Sequence, residues 1–341
     1  MPEHAWKCPS CGASLSPGPF SRTVACTHCG TVVHVDEAVV ASSRFREAYA
    51  AWSAPPPALA HVAFRVGEAF WTEVAPVARG EIADVVLVES VRWPRQRALC
   101  KTLRDARDLP MLEAEARALE TLRESTVPGA DRFATLVPQV VARGVAVGGR
   151  FRGEATTLLR HVPSFRRTLE DVRAAFPGGM DPHAGVWVWR RLLEVLSFLH
   201  RTGVVHGAVL PPHVLVEDGE HGVRLVGYGC AGAPGAPLAA VLTRHEALYA
   251  PETLRSARLA RAGDLVAAAR TVAWALGADA TGRPPARVPA PLASLLEEAA
   301  AGRAGDDALA LRERVGAAGA QAFGAPSFHP IVFPGDPPAT V

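Results

Sequence analysis

Lysine is almost missing from this chain. Of its 36 basic residues only Lys7 and Lys101 are lysines, and the rest are arginine. Where arginine is so strongly preferred, a retained lysine marks a position of interest. A dominant charge is missing too. The 36 basic and 34 acidic residues leave a formal +2, which excludes a bulk electrostatic pull toward nucleic acid or an anionic membrane. No apolar run reaches the roughly 18 residues of a membrane-spanning helix. The most apolar C-terminal stretch, Leu265 to Leu276, is short and carries Arg270. The opening MPEHAWKCPSC has no apolar h-region, which speaks against a secretory signal and points to a cytoplasmic protein. Abundant Ala, Arg, Gly and Pro fit a GC-rich bacterial genome. What remains is 341 residues, 49% of them hydrophobic, enough for one large domain and a small module.

Four of the six cysteines fall in two knuckles, Cys8-Pro-Ser-Cys11-Gly12 and Cys26-Thr-His-Cys29-Gly30. Four thiolates in two such pairs suit a tetrahedral Zn²⁺. A disulfide pair or a redox dithiol is the alternative. Gly12 and Gly30 can take the positive φ that follows a CxxC turn. Thr23–Ala25 and Thr31–Val35 are β-prone. Residues 1–36 resemble a zinc ribbon, which implies a structural zinc on Cys8, Cys11, Cys26 and Cys29, with His28 and His34 as non-ligands. So short a piece cannot bury enough surface to fold alone, so the metal supplies its stability. No cluster of basic and aromatic residues accompanies it, which favours protein docking or packing over nucleic-acid binding. Residues 37–60 read as a linker, with helical periodicity over Ala38–Trp52 broken by Ser53-Ala-Pro-Pro-Pro-Ala58.

The stretch His206 to Gly229, HGAVLPPHVLVEDGEHGVRLVGYG, resembles the catalytic segment of protein kinases. That segment reads H-R-D-L-K-P-x-N-[ILV]-L, then a strand, then D-F-G. His206, Val209, Pro211, Val214, Leu215, Leu225 and Gly229 match its scaffold. Its chemical positions are replaced. Ala208 stands for the catalytic Asp, Leu210 for the Lys, His213 for the metal-binding Asn and Gly227 for the metal-binding Asp. The helix Trp187–Thr202, with Leu199 to His206 after it, resembles the element that precedes this segment.

The resemblance covers about residues 64 to 315. It implies an α+β, two-lobed kinase-like fold behind the ribbon, with a β-rich small lobe over 61–160 and a helical large lobe over 161–323. Strands are expected at Val85–Ser90, Val137–Val147 and Thr156–Leu159. Ala78 to Val85 aligns with the glycine-rich loop, keeping only Gly80 and Val85. Ala98-Leu-Cys-Lys101 resembles V-A-I-K. Leu112, Leu119 and Leu122 share a helical face with Glu115, which makes Glu115 the partner of Lys101. Glu113 lies about 200° away around the helix. Gly80, Val85, Ala98, Lys101, Glu115, Leu159 and Leu215 are therefore the expected nucleotide-site residues. Asp264 resembles the buried Asp that braces the catalytic-loop backbone. Glu252, in Tyr249-Ala-Pro-Glu252, resembles the glutamate that pairs with a late arginine, here Arg303. The Pro-rich tail, 324–341, is expected to be strapped on a lobe or disordered. Cys100 and Cys230 read as small core or cleft residues.

Phosphoryl transfer needs a proton acceptor, two oxygen ligands for Mg²⁺ and a cation on the transferring group. Losing one such group commonly costs on the order of 10²–10³ in rate, and here four are gone. The resemblance thus implies a pseudokinase acting as an adaptor or allosteric regulator, with ATP bound weakly and without Mg²⁺, or not at all. An atypical active kinase with a rewired metal site and a ribbon-led nucleic-acid-binding protein are the alternatives. No motif specifies a protein partner or an oligomeric state.

Overall fold

The computed structural model describes residues 6–8, 13–15, 23–34, 63–217, 221–327 and 329–334. Cys11, Gly12, Val35, the helix expected over 38–52, the proline run after it, Asp218 and residues 335–341 lie outside the described residues. Those described form a mixed α+β structure.

Cys8, Cys26 and Cys29 lie beside two short antiparallel strand pairs. One pairs β1 (Trp6–Lys7) with β2 (Ser14–Leu15), the other β3 (Thr23–Ala25) with β4 (Val32–His34). Cys8, Cys26 and Cys29 are buried with Ala13, Leu15 and Val33 in a core of their own.

A six-stranded antiparallel sheet follows, in the order β5-β6-β7-β8-β10-β9. Its strands are β5 (Phe64–Val66), β6 (Ala69–Arg79), β7 (Ala83–Ser90), β8 (Arg97–Leu103), β9 (Val140–Val145) and β10 (Ala155–Arg160). Its two edges meet, because Arg65 and Val147 exchange both backbone hydrogen bonds at 2.9 Å. The sheet thereby curls around Phe64, Val66, Trp71, Val86, Val88, Ala98, Cys100 and Leu158. Strand alternation sends every second side chain inward. Between β8 and β9 runs α1 (Leu109–Arg123), started by Pro110 in its first turn. Its buried stripe Leu112, Glu115, Ala116, Leu119 and Leu122 repeats at three and four, as an amphipathic helix requires.

The rest is mainly helical. α2 (Ala130–Phe133) and α3 (Leu169–Ala175) are short, and α4 (Pro182–Arg201) is the central element. α4 begins five residues before the expected Trp187. The Asp181 side chain accepts the His183 N–H and Pro182 fills the first turn, a cap-and-proline start. α4 is buried on nearly every side. Against it pack α6 (Arg261–Ala275), preceded by α5 (Pro251–Ser256), and α8 (Ala308–Phe323), preceded by α7 (Ala290–Ala300). Gly319 lets α8 approach closely, since a Cβ there would lie 2.8 Å from Val186 Cγ1. A small sheet of β11 (Arg167–Thr168), β12 (Val214–Glu217) and β13 (Gly222–Leu225) lies beside α4.

The segment after α8 is strapped onto this body. Trp187 Nε1 and His221 Nε2 both donate to the His329 carbonyl, at 3.0 and 2.9 Å. Ile331 and Phe333 are buried beyond it. Among the described residues no helix is long and apolar enough to cross a membrane.

Candidate functional site

Antiparallel register lays the candidate cleft residues in rows. Val85, Lys101 and Thr157 form one row across β7, β8 and β10, and Leu87, Leu99 and Leu159 form the next. Both rows are on the same sheet face, since paired residues and alternate residues share a face. Ala98 belongs to the other face. It is fully buried inside the curled sheet with Cys100, Val88 and Leu158. The expectation that Ala98 lines the cleft is corrected here. It stands three positions before Lys101, an odd offset, so the pleat points the two apart. Leu99, two before Lys101, takes that place, and strand parity alone identifies it. Leu215 is half-buried on β12, on the opposite strand face from the buried Val214 and Val216.

Lys101 Nζ donates to Glu115 Oε2 at 2.7 Å. The carboxylate's other oxygen, Oε1, accepts the Tyr228 N–H at 3.2 Å. Glu115 therefore ties the sheet to the 206–229 stretch through α1. Glu113 faces elsewhere, 3.8 Å from Arg117. Gly80 closes the β6–β7 turn, its N–H donating to the Ala83 carbonyl at 2.9 Å. Arg104 holds the tip of that turn by donating to the Glu81 carbonyl. Arg244 lies between two acids, 3.7 Å from Glu81 and 3.4 Å from Glu170, so it links the β6–β7 turn to α3.

The loop at 206–210 is braced from below. Asp264 Oδ2 accepts the His206 N–H at 2.8 Å, and Oδ1 accepts the Gly207 N–H at 2.9 Å. His200 Nε2 lies 3.0 Å from the same carboxylate. The His206 ring is fully buried. Its Nδ1 accepts the Ala208 N–H at 3.3 Å, and its Nε2 donates to the Val226 carbonyl at 3.1 Å. That pairing fixes the neutral Nε2–H tautomer. Burial pushes its pKa down to about 4.

Ala208, Leu210, His213 and Gly227 are closely packed. Ala208 and Leu210 are 3% and 0% exposed and share a hydrophobic cluster with Cys230 and Tyr249. His213 Nδ1 donates to the Ala208 carbonyl at 2.8 Å. Its ring fills the space beside Gly227, where a Cβ would lie 2.6 Å from His213 Cδ2. Gly227 has φ +80°, a left-handed conformation that favours glycine. Burial also holds the His213 pKa below its usual value. Tyr228 is fully buried, edge-on to His206 at 4.6 Å, and its hydroxyl has no hydrogen-bond partner among the described residues. Burial therefore pushes its pKa well up.

The expected buried pair of Glu252 with Arg303 does not form. Both residues are exposed, and Glu252 pairs with Arg255 at 2.6 Å, one turn along α5. Arg270 does the anchoring instead. It donates to the carbonyls of Ala247 and Tyr249 at 3.0 and 2.7 Å and to that of Ala300 at 3.0 Å. Its position mid-way along an apolar helix was the available signal. Cys100 and Cys230 are buried, with burial raising both pKa values, that of Cys100 to about 12. Neither is a ready thiolate.

Comparison with protein-family models and with curated proteins returns no match.

Cys8, Cys26 and Cys29 converge at the other candidate site. Their sulfurs lie within 4.8 Å of one another, and Cys8 Sγ is 3.5 Å from Cys29 Sγ. A tetrahedral thiolate site with metal–sulfur bonds of about 2.3 Å requires sulfur separations of about 3.8 Å, so the three can hold a metal ion. Gly30 has φ +72°, as the turn needs. The knuckle rests on α4 and α8, where Arg312 Nη2 donates to the Cys29 carbonyl at 3.1 Å. Glu194 accepts from both Arg191 and Arg312, at 2.7 and 2.6 Å. These charges are buried, and on sequence alone they look like an ordinary helix surface.

Proposed function

We propose that this chain is a catalytically inactive protein kinase homologue, a cytoplasmic adaptor or allosteric regulator with an N-terminal zinc ribbon. One observation carries it. The positions that would move a phosphoryl group have been taken into the core. Ala208 and Leu210 sit in a closed hydrophobic cluster, and the His213 ring occupies the volume that a side chain at 227 would need. Meanwhile Lys101–Glu115 and Asp264 with its loop remain connected. A pair that orders phosphates thus persists without the groups that transfer them. Ala208 accepts no proton, and Gly227 offers no carboxylate to Mg²⁺, a hard ion that prefers oxygen ligands. Nucleotide binding at Val85, Leu99, Lys101 and Leu159 is accordingly weak and independent of Mg²⁺, or absent.

Zinc fits the thiolate donors Cys8, Cys26 and Cys29, with Cys11 as the fourth ligand by the knuckle spacing. Its contribution is structural: it ties together two hairpins too small to fold by burial alone.

The test is phosphotransfer by the full chain with Mg²⁺·ATP or Mn²⁺·ATP and broad protein acceptors. Incorporation no greater than that of Lys101→Ala is expected. Turnover that Lys101→Ala abolishes sinks the proposal. A thermal-shift titration with ATP gives equal shifts with and without Mg²⁺, or none.

A further inference from the structure

A cavity of about 100 Å³ lies between the Cys26–Cys29 knuckle, α4, α8 and the strap that follows α8. At about 10–15 Å³ per water on this measure, it has room for several waters or one small polyatomic ion. Its lining is basic. Arg191 is 5% exposed and its Nε has no hydrogen-bond partner among the described residues. The neighbouring Arg190 makes no hydrogen bond or ion pair among those residues, and its Nε is likewise buried. Burial, with Arg312 and Arg191 alongside, holds its pKa below the usual value. The acids that act on Arg190 are Glu194 and Glu313. Glu194 already gives one oxygen to Arg191 and the other to Arg312, while Glu313 is paired with Arg312. Arg191 is also paired with the Cys29 side chain, so of the three guanidinium groups Arg190 is the one left without a partner among the described residues.

The walls are aromatic. His183 is stacked between Phe323 and His329, at 3.8 and 4.0 Å, and Trp187 is stacked on His221 at 4.4 Å. Asp181, His183 and His329 also bring ligand atoms within 4.8 Å of one another, which raises the question of a cation. The stacking answers it. A metal lies close to the plane of each imidazole that binds it, and two rings stacked at 4.0 Å with a 23° tilt cannot both point at one ion. Asp181 instead holds His183 through Nδ1 at 3.0 Å.

We propose that this cavity binds a small oxyanion, a phosphate or carboxylate group, with Arg190 as its principal ligand and the positive charge of Arg191 beside it. A guanidinium fork matches such oxygens with paired charge-assisted hydrogen bonds. A partly buried cation without a partner is costly, and the anion removes that cost. Because the cavity roof is Gly30, Thr31 and Val32, an anion seated there also bridges the knuckle to α4 and α8.

The experiment uses the full chain at constant ionic strength, titrated with inorganic phosphate, acetate or chloride and followed by calorimetry and thermal shift. A saturable response to phosphate or acetate, absent with chloride, is expected. The stronger of the two identifies the headgroup. Arg190→Gln weakens it about tenfold or more, the loss expected for a charge-assisted hydrogen bond. Arg190→Lys keeps part of it, which separates ligand loss from misfolding. Lys101→Ala leaves it unchanged, which separates this cavity from the nucleotide cleft. The proposal is overturned by no saturable response in the wild type, by a wild-type response in Arg190→Gln, or by its loss in Lys101→Ala. It also fails if Arg190→Gln loosens bound metal while phosphate never binds, since Arg190 then serves the cysteine thiolates.

Discussion

His213 and Gly227 form one packing unit, and a substitution at 227 tests it. A Cβ on Gly227 would lie 2.6, 2.8 and 2.9 Å from His213 Cδ2, Nε2 and Cγ. All three are closer than real Cβ contacts come. Two costs therefore add in Gly227→Ala. The left-handed backbone at φ +80° costs an L-residue about 1–2 kcal/mol. Overpacking against a ring held by its bond to the Ala208 carbonyl costs about 1–3 kcal/mol. A total of about 3 kcal/mol corresponds to a melting temperature lower by roughly 6–12 °C in a body of this size. Removing the ring relieves only the steric part. In a double-mutant cycle with His213→Ala, measured by thermal unfolding, the two changes should couple favourably by at least about 1 kcal/mol. Additivity within about 0.5 kcal/mol refutes the packing argument. The same geometry means that Gly227→Asp alone does not restore a Mg²⁺ ligand, because the imidazole already fills the position.

Other outcomes follow from the same contacts. Glu115→Ala strands Lys101 Nζ and the Tyr228 N–H together, at a cost of about 2–3 kcal/mol by denaturant unfolding; a neutral result contradicts the bridging role. Arg270→Ala exposes the 243–249 segment to limited proteolysis, whereas Glu252→Ala and Arg303→Ala stay within about 0.5 kcal/mol of wild type, as surface changes do. Burial first of all lowers the pKa values of His206 and His221 to about 4. The unfolded chain then takes up these protons first as the pH falls. Stability is complete above pH of about 6.5 and declines toward pH 4, by up to about 3 kcal/mol per group. A melting profile of His206→Gln as steep as the wild type over that range contradicts the His206 share. Removing metal with a chelator should unfold the hairpins and leave most helical circular dichroism; Cys29→Ser should bind less zinc by elemental analysis. Full zinc retention in Cys29→Ser excludes that cysteine as a ligand.

Much of the local structure was legible because it depends on short-range pattern. The α1 stripe from Leu112 to Leu122 and the strand Thr23–Ala25 follow from period and β-branching. Glu115 was separable from Glu113 by helical phase alone. Ala98 differs from its expected place for a reason the sequence holds: strand parity puts it on the face opposite Lys101. The early start of α4 was also readable, in Asp181 followed by Pro182. Arg303 is a different case. It stands at a suitable distance along the chain from Glu252, but sequence spacing does not say whether two surface charges meet, and Arg255 is one helical turn away.

The sequence by itself determined which side-chain chemistry stands at positions 208, 210 and 227. No fold supplies a carboxylate at Ala208 or Gly227, or a cation at Leu210. It also singled out the cysteines as metal ligands and Glu115 as the partner of a rare lysine, because these depend on residue type and local period. Only the tertiary structure decided what packs around these positions and which arginine is left without a partner among the described residues. The Ala208–Leu210–Cys230–Tyr249 cluster joins residues more than twenty positions apart. Arg190, Arg191, Glu194 and Arg312 meet under the Cys29 knuckle across more than 280 positions, since Arg312 reaches the Cys29 carbonyl at a separation of 283. Burial and the neighbours across a packed interface are properties of the assembled chain. They turn an unremarkable arginine into a cation without a partner.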